Sequence, residues 1–159
     1  MLPTIQLSMC FILHFTAKVE LLLQHFEDTG QIFTPDALRL AYDLTQGQPW
    51  LVNALARQAV QVVAPEPAQS VDVAVIAQAK GLLIQHRDAQ FGNLIERLHE
   101  ERVRQVIEPL LAGRALAGIA IEHFHFALDL GLVRRNPAGG LMFANPIYRE
   151  IMAQELTCQ

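Results

Sequence analysis

Apolar residues in this chain recur mostly at intervals of three and four, the repeat that lines one face of an α-helix. Thr16 is placed to cap a helix with Val19, Leu22, Leu23 and Phe26 on one face, and Gly30 in "DTGQ" supplies a left-handed stop. Thr34-Pro35-Asp36 then gives a cap, a proline at the first helical position and an acid in the first turn. The helix that follows is expected to bury Ala37, Leu38, Ala41 and Leu44 and to stop at Gly47. Pro49 restarts a helix lined by Leu51, Ala54, Leu55 and Val62. Ahead of all this, "IQLSMCFILHF" is a short apolar run, partly β-branched, that reads as a buried strand or an extended docking arm.

The pattern breaks at "APEPAQS", Ala64 to Ser70, where two prolines and no large apolar residue mark a linker and Ser70 offers a new cap. A helix from about Val71 to Gln85 is predicted next, with Gly81 as its weak point. Helical spacing resumes with Phe91, Leu94, Ile95, Leu98, Val103, Val106, Ile107 and Leu110, predicting a helix to Leu111 that Pro109 kinks or breaks near its end. Arg97 with Glu101, and Glu100 with Arg104, stand four apart and predict a solvated, ion-paired face.

The last third changes character. "IEHFHFALDLGLVRR" reads as a helix ending at Gly131 and then a short strand, "NPAGG" as a turn, and "LMFAN" as a second strand. Pro146 opens a final helix, "PIYREIMAQEL". The expected class is mainly α with one small β-hairpin, and the order helix, helix, hairpin, helix suggests a winged-helix unit.

Composition sharpens this in three ways. Apolar residues make up 52% and charged residues 18% of the 159 positions, so core material exceeds what one small core needs and some apolar surface is expected to meet a partner or a second copy. Net charge is −4, which is not the footprint of a general nucleic-acid binder. Cys10 and Cys158 lie near opposite ends with no CxxC pattern, consistent with free thiols in a reducing, cytoplasmic setting. No apolar run reaches membrane-spanning length. The opening residues carry neither the Lys or Arg nor the small-residue cleavage site of a signal peptide.

Catalytic chemistry is not evident. "GRALAGIA", Gly113 to Ala120, has the glycine spacing of a P-loop, but Ile119 and Ala120 stand where phosphate binding needs Lys and Ser or Thr. His123 and His125 lie two apart, which on a helix sends them to different faces and makes poor metal-ligand geometry. His14, His25, His86 and His99 are scattered, and no Ser or Cys sits in a nucleophile elbow. Arg134 and Arg135 lie where a wing begins and are the candidate phosphate contacts. Against that, Leu94 to Gln159 holds seven basic residues and eight acidic ones, and "IEHFHFALDLGL" has no Lys or Arg, so nucleic acid is not the expected partner.

"TGQIF", "LTQGQPWLVNALARQA", "RLHEERVRQVIEPLLAG" and "DLGLVRRNPAGGLMFANPIYREI" together resemble the C-terminal half of a bacterial family of AAA-like, STAND-related P-loop ATPases. That resemblance implies a helical lid over residues 16–64, a linker and connecting helix over 65–90, and a winged-helix-like domain over 91–159. Residues 1–15 become an apolar arm or the remnant of a strand. It also implies that Gly47, Gln48, Pro49 and Trp50 face the base and ribose of a nucleotide, with free backbone N–H groups at the helix start. ATP or ADP with magnesium is then expected only alongside a P-loop domain, in cis or in trans, and this chain alone is expected not to be an enzyme. The competing reading makes Trp50, the one tryptophan in the chain, a core plug between two helices.

Overall fold

The computed structural model describes residues 27–86 and 89–157. The predicted arm over 1–15, the helix capped by Thr16, both cysteines, His14 and His25 lie outside the described residues. The fold is mainly helical with one small two-stranded antiparallel sheet, and the chain divides into two compact units between Gln85 and His86.

In the first unit the chain leaves a helical turn at 27–29 through Gly30, whose φ of 72° makes the predicted left-handed stop. Helix α1 spans Pro35–Thr45; the Thr34 hydroxyl accepts a hydrogen bond from the Ala37 amide at 3.2 Å, and Pro35 occupies the first turn. Helix α2 spans Pro49–Gln58 and packs on α1. It buries Leu51, Val52, Leu55 and Ala56. Each large apolar side chain removed from water in this way contributes about 1.5–3 kcal/mol. On α1 the buried positions are Ala37, Ala41 and Thr45, whereas Leu38 and Leu44 are half-buried.

Past Gln58 the helix widens into a π turn over Ala59–Val63, closed by the Ala64 amide on the Ala59 carbonyl at 2.8 Å. The wider turn changes which side chains face inward. Ala59 and Ala64 are fully buried, while Val62, expected on the apolar face of α2, is 52% exposed.

The linker is held by groups distant in sequence. Phe33 and Val71 form an isolated parallel bridge, with the Val71 amide on the Ile32 carbonyl at 2.8 Å and the Thr34 amide on the Val71 carbonyl at 2.9 Å. Val71 is therefore extended, and helix α3 spans Val73–His86, running through Gly81. Its cap is Asp72, not Ser70: the Asp72 carboxylate accepts from the Val75 amide at 2.9 Å.

The second unit runs α4 (Ala89–Leu98), α5 (Glu101–Leu111), α6 (Ile121–Asp129), β1 (Val133–Arg135), β2 (Leu141–Phe143) and α7 (Pro146–Thr157). Helix α5 packs against α4, α6 and α7; α6 also meets β1, and β2 meets α7. Phe91, Leu98, Val103, Val106, Ile107, Ile147, Ile151 and Met152 are all buried. The strands pair Val133 with Phe143, Arg134 with Met142 and Arg135 with Leu141. Gly131, at φ 69°, turns the chain from α6 into the hairpin, and the Asn145 side chain caps α7 by accepting from the Tyr148 amide at 2.8 Å.

The expected helix from Phe91 to Leu111 is two helices. It breaks at His99 and Glu100, where Glu100 takes extended geometry (φ −70°, ψ 124°), while α5 continues through Pro109 to Leu111. The break changes the ion pairs. Glu100 binds Arg97 and Arg102, each at 2.7 Å, and Arg104 binds Glu108 at 2.8 Å, in place of the expected Arg97–Glu101 and Glu100–Arg104 pairs. These two arginines hold the Glu100 carboxylate below the usual glutamate value of 4.5, the Arg97 hydrogen bond contributing most. The Arg102 guanidinium also lies 3.3 Å from the centroid of the Phe126 ring, joining α5 to α6.

Candidate functional site

Gly47, Gln48, Pro49 and Trp50 come together at the turn between α1 and α2. Gln46 and Gly47 are both left-handed, with φ of 51° and 69°, and together they reverse the chain within two residues. The fully buried Thr45 hydroxyl fixes the turn, donating to the Ala41 carbonyl at 2.7 Å and accepting from the Gly47 amide at 3.2 Å. The Gln48 amide closes it on the Thr45 carbonyl at 3.1 Å.

Along this turn Gly47 is buried, Gln48 and Trp50 are half-buried, and Pro49 is exposed. Leu51, Val52 and Leu55 of α2 are buried beside it, whereas Trp50 keeps partial exposure. The expectation of free backbone N–H groups is corrected at two positions. The Leu51 and Val52 amides both donate to the Gln48 carbonyl, at 3.0 and 2.9 Å. Neither is open to a phosphate. Gln48 and Trp50, both partly accessible, stand beside the positive end of a helix.

Arg134 and Arg135 are exposed on β1 and, as consecutive strand residues, point to opposite faces. Arg135 borders a groove of about 280 Å³ lined by Ile121, Phe124, His125 and Leu128 of α6, Leu116 before it, and Gly140 and Leu141 of the hairpin. The sequence does not bring these residues together, because they come from three separate stretches. The only local signal is the spacing 121, 124, 125, 128 on α6.

The "GRALAGIA" stretch is the connection between α5 and α6, with Gly113 and Gly118 at φ 63° and 82°. His123 and His125 separate as expected: His125 reaches the groove, while His123 is half-buried with its Nδ1 enclosed and without a hydrogen-bond partner. Among the described residues no group of three or more His, Cys, Asp or Glu side chains could hold a metal ion, and no helix is long and apolar enough to cross a membrane. A larger groove of about 680 Å³ lies between the end of α5 and α7, with Glu108, Arg149 and Glu150 along otherwise small or apolar walls.

Compared with known proteins, the chain matches no family model, no curated protein and no solved structure.

Proposed function

We propose that this chain is the non-catalytic lid and winged-helix portion of an AAA-like, ATP-binding ATPase, closing over a nucleotide held by a P-loop domain. The observation that carries this reading is the Trp50 turn. The largest side chain in the protein is left half-exposed at the start of a helix whose neighbouring residues, Leu51 and Val52, already fill the core. A rigid turn that holds an aromatic ring and an amide at its surface suits contact with a nucleotide base, while phosphate and magnesium would fall to the P-loop partner. The order of three helices, hairpin and helix in the second unit supports a winged helix as the element that relays lid position.

Trp50 is the only tryptophan, so its fluorescence reports this turn alone. The test begins by reading the genomic DNA beside this coding region for a P-loop domain and co-expressing that domain with the chain. Titration with ATP and ADP in the presence of magnesium is expected to change Trp50 emission saturably, and only when the P-loop domain is present. The absence of such a coding region, or an unchanged emission in the reconstituted pair, overturns the reading.

The groove beside Arg135 favours a second reading, a protein-interaction module that acts through α6 and the hairpin.

A further inference from the structure

We propose that the face formed by α6 and the β1–β2 hairpin binds a short peptide segment of a partner protein, one that carries large apolar side chains and a carboxylate. Ile121, Phe124, His125 and Leu128 follow the spacing of a single helical stripe. On that stripe Ile121 is 62% exposed, His125 is exposed, and Phe124 and Leu128 are half-buried. A stripe of this kind receives apolar anchors.

Charge selects among peptides. Arg135 and Leu141 are cross-strand partners, so a cation and an apolar side chain stand side by side on one face of the hairpin. Arg97, Arg102 and Arg104 all have carboxylate partners, whereas Arg135 forms no ion pair among the described residues. No acidic residue lines the groove, and His125 is its other ionisable side chain. A guanidinium at the border of an apolar groove binds a carboxylate with directed, charge-assisted hydrogen bonds.

Size and composition separate the peptide from other occupants. The groove holds about 280 Å³, room for one or two large side chains. A stable dimer buries roughly 800 Å² on each copy, more than a stripe of four residues on a nine-residue helix supplies. Nucleic acid is disfavoured because its affinity draws on several phosphate contacts, whereas α6 carries no Lys or Arg and Arg135 is the one Arg or Lys lining the groove, enough for a single carboxylate. This inference does not depend on the nucleotide reading of the Trp50 turn, and its test leaves that turn untouched.

The test is selection of the full chain against a displayed library of random twelve-residue peptides, followed by calorimetry with the strongest synthetic binder. Expected is enrichment of peptides with large apolar residues and an Asp or Glu. Arg135→Glu is expected to weaken that binder by about tenfold or more, as loss of a charged hydrogen bond does, and to turn selection toward Lys or Arg. Ile121→Asp, at an exposed position that folding tolerates, is expected to abolish binding while circular dichroism and thermal unfolding stay unchanged. Enrichment without acidic residues, no enrichment, or a selection indifferent to Arg135→Glu overturns the proposal. So does a dimer in sedimentation that Ile121→Asp dissociates, which gives the face to a second copy, or salt-sensitive duplex DNA binding lost with Arg135→Glu.

Discussion

The Gln31 side chain donates from Nε2 to the Ala64 carbonyl at 2.8 Å across thirty-three positions of sequence, joining the entry to α1 to the segment that follows the π turn. The same nitrogen reaches the Gln69 carbonyl at 3.0 Å and the Glu66 carbonyl at 3.3 Å. One amide group thus holds the proline-containing linker folded on itself. Two hydrogens serve three acceptors, so one bond is shared. Gln31 is only 2% exposed. Gln31→Leu is expected to cost about 1–3 kcal/mol, because it takes this donor from the buried Ala64 carbonyl. Urea unfolding followed through Trp50 emission checks this; an unchanged midpoint would mean that the linker holds its shape without the pin.

The turn between α1 and α2 gives a second prediction. Gly47 sits at φ 69°, and a side chain there costs about 1–2 kcal/mol, the left-handed penalty. Gly47→Ala is therefore expected to lower the unfolding midpoint of the first unit. Gln46→Gly, at φ 51°, is expected to raise or preserve it, since glycine accepts that conformation without strain. A lowered midpoint for Gly47→Ala beside an unchanged or raised one for Gln46→Gly is the signature to look for.

Asn145 is the cap of α7 and only 2% exposed. Asn145→Ala is expected to destabilise the second unit by about 0.5–2 kcal/mol, and Asn145→Asp by less, because aspartate keeps the accepting oxygen. Calorimetric scanning should lower the transition of the second unit and leave that of the first in place.

Glu100 provides a pH-dependent check. Its carboxylate is held below the ordinary value by Arg97 and Arg102, so the bound form contributes stability above the unfolded-state pKa, and that contribution is lost as pH falls through the folded value. The pair is solvent-facing and the effect modest. Carbon-detected NMR titration of the Glu100 carboxyl is expected to give a midpoint below that of a model glutamate, and Arg97→Gln to move it upward. A midpoint at the ordinary value would show that both ion pairs are open in solution.

Where the chain punctuates itself with proline, glycine and caps, its fold could be read directly. Thr34-Pro35, Gly47-Gln48-Pro49, Gly131, the hairpin and Pro146 all became boundaries. The break at His99–Glu100 has no such marker. Its one local sign is that Leu98 and Val103 stand five apart, where the apolar stripe on either side recurs at three or four. The Phe33–Val71 bridge and the Gln31 hydrogen bonds are long-range pairings, and nothing in either local sequence announces them. The two candidate sites differ in the same way. The Trp50 turn is contiguous and was visible, whereas the groove at Arg135 depends on the hairpin register that sets Leu141 beside it.

The π turn over Ala59–Val63 behaves as one spare residue threaded into the end of α2. Without it the helix would arrive at Ala64 in a different phase, turned by about 100° as each residue of an α-helix is. The Ala64 carbonyl would then point away from Gln31, and a fully buried alanine would be carried toward solvent. Chain length across this short segment is therefore fixed more tightly than its chemistry. Alanine and valine there can be exchanged for other small apolar residues, but the loss of a single position would unlatch the linker.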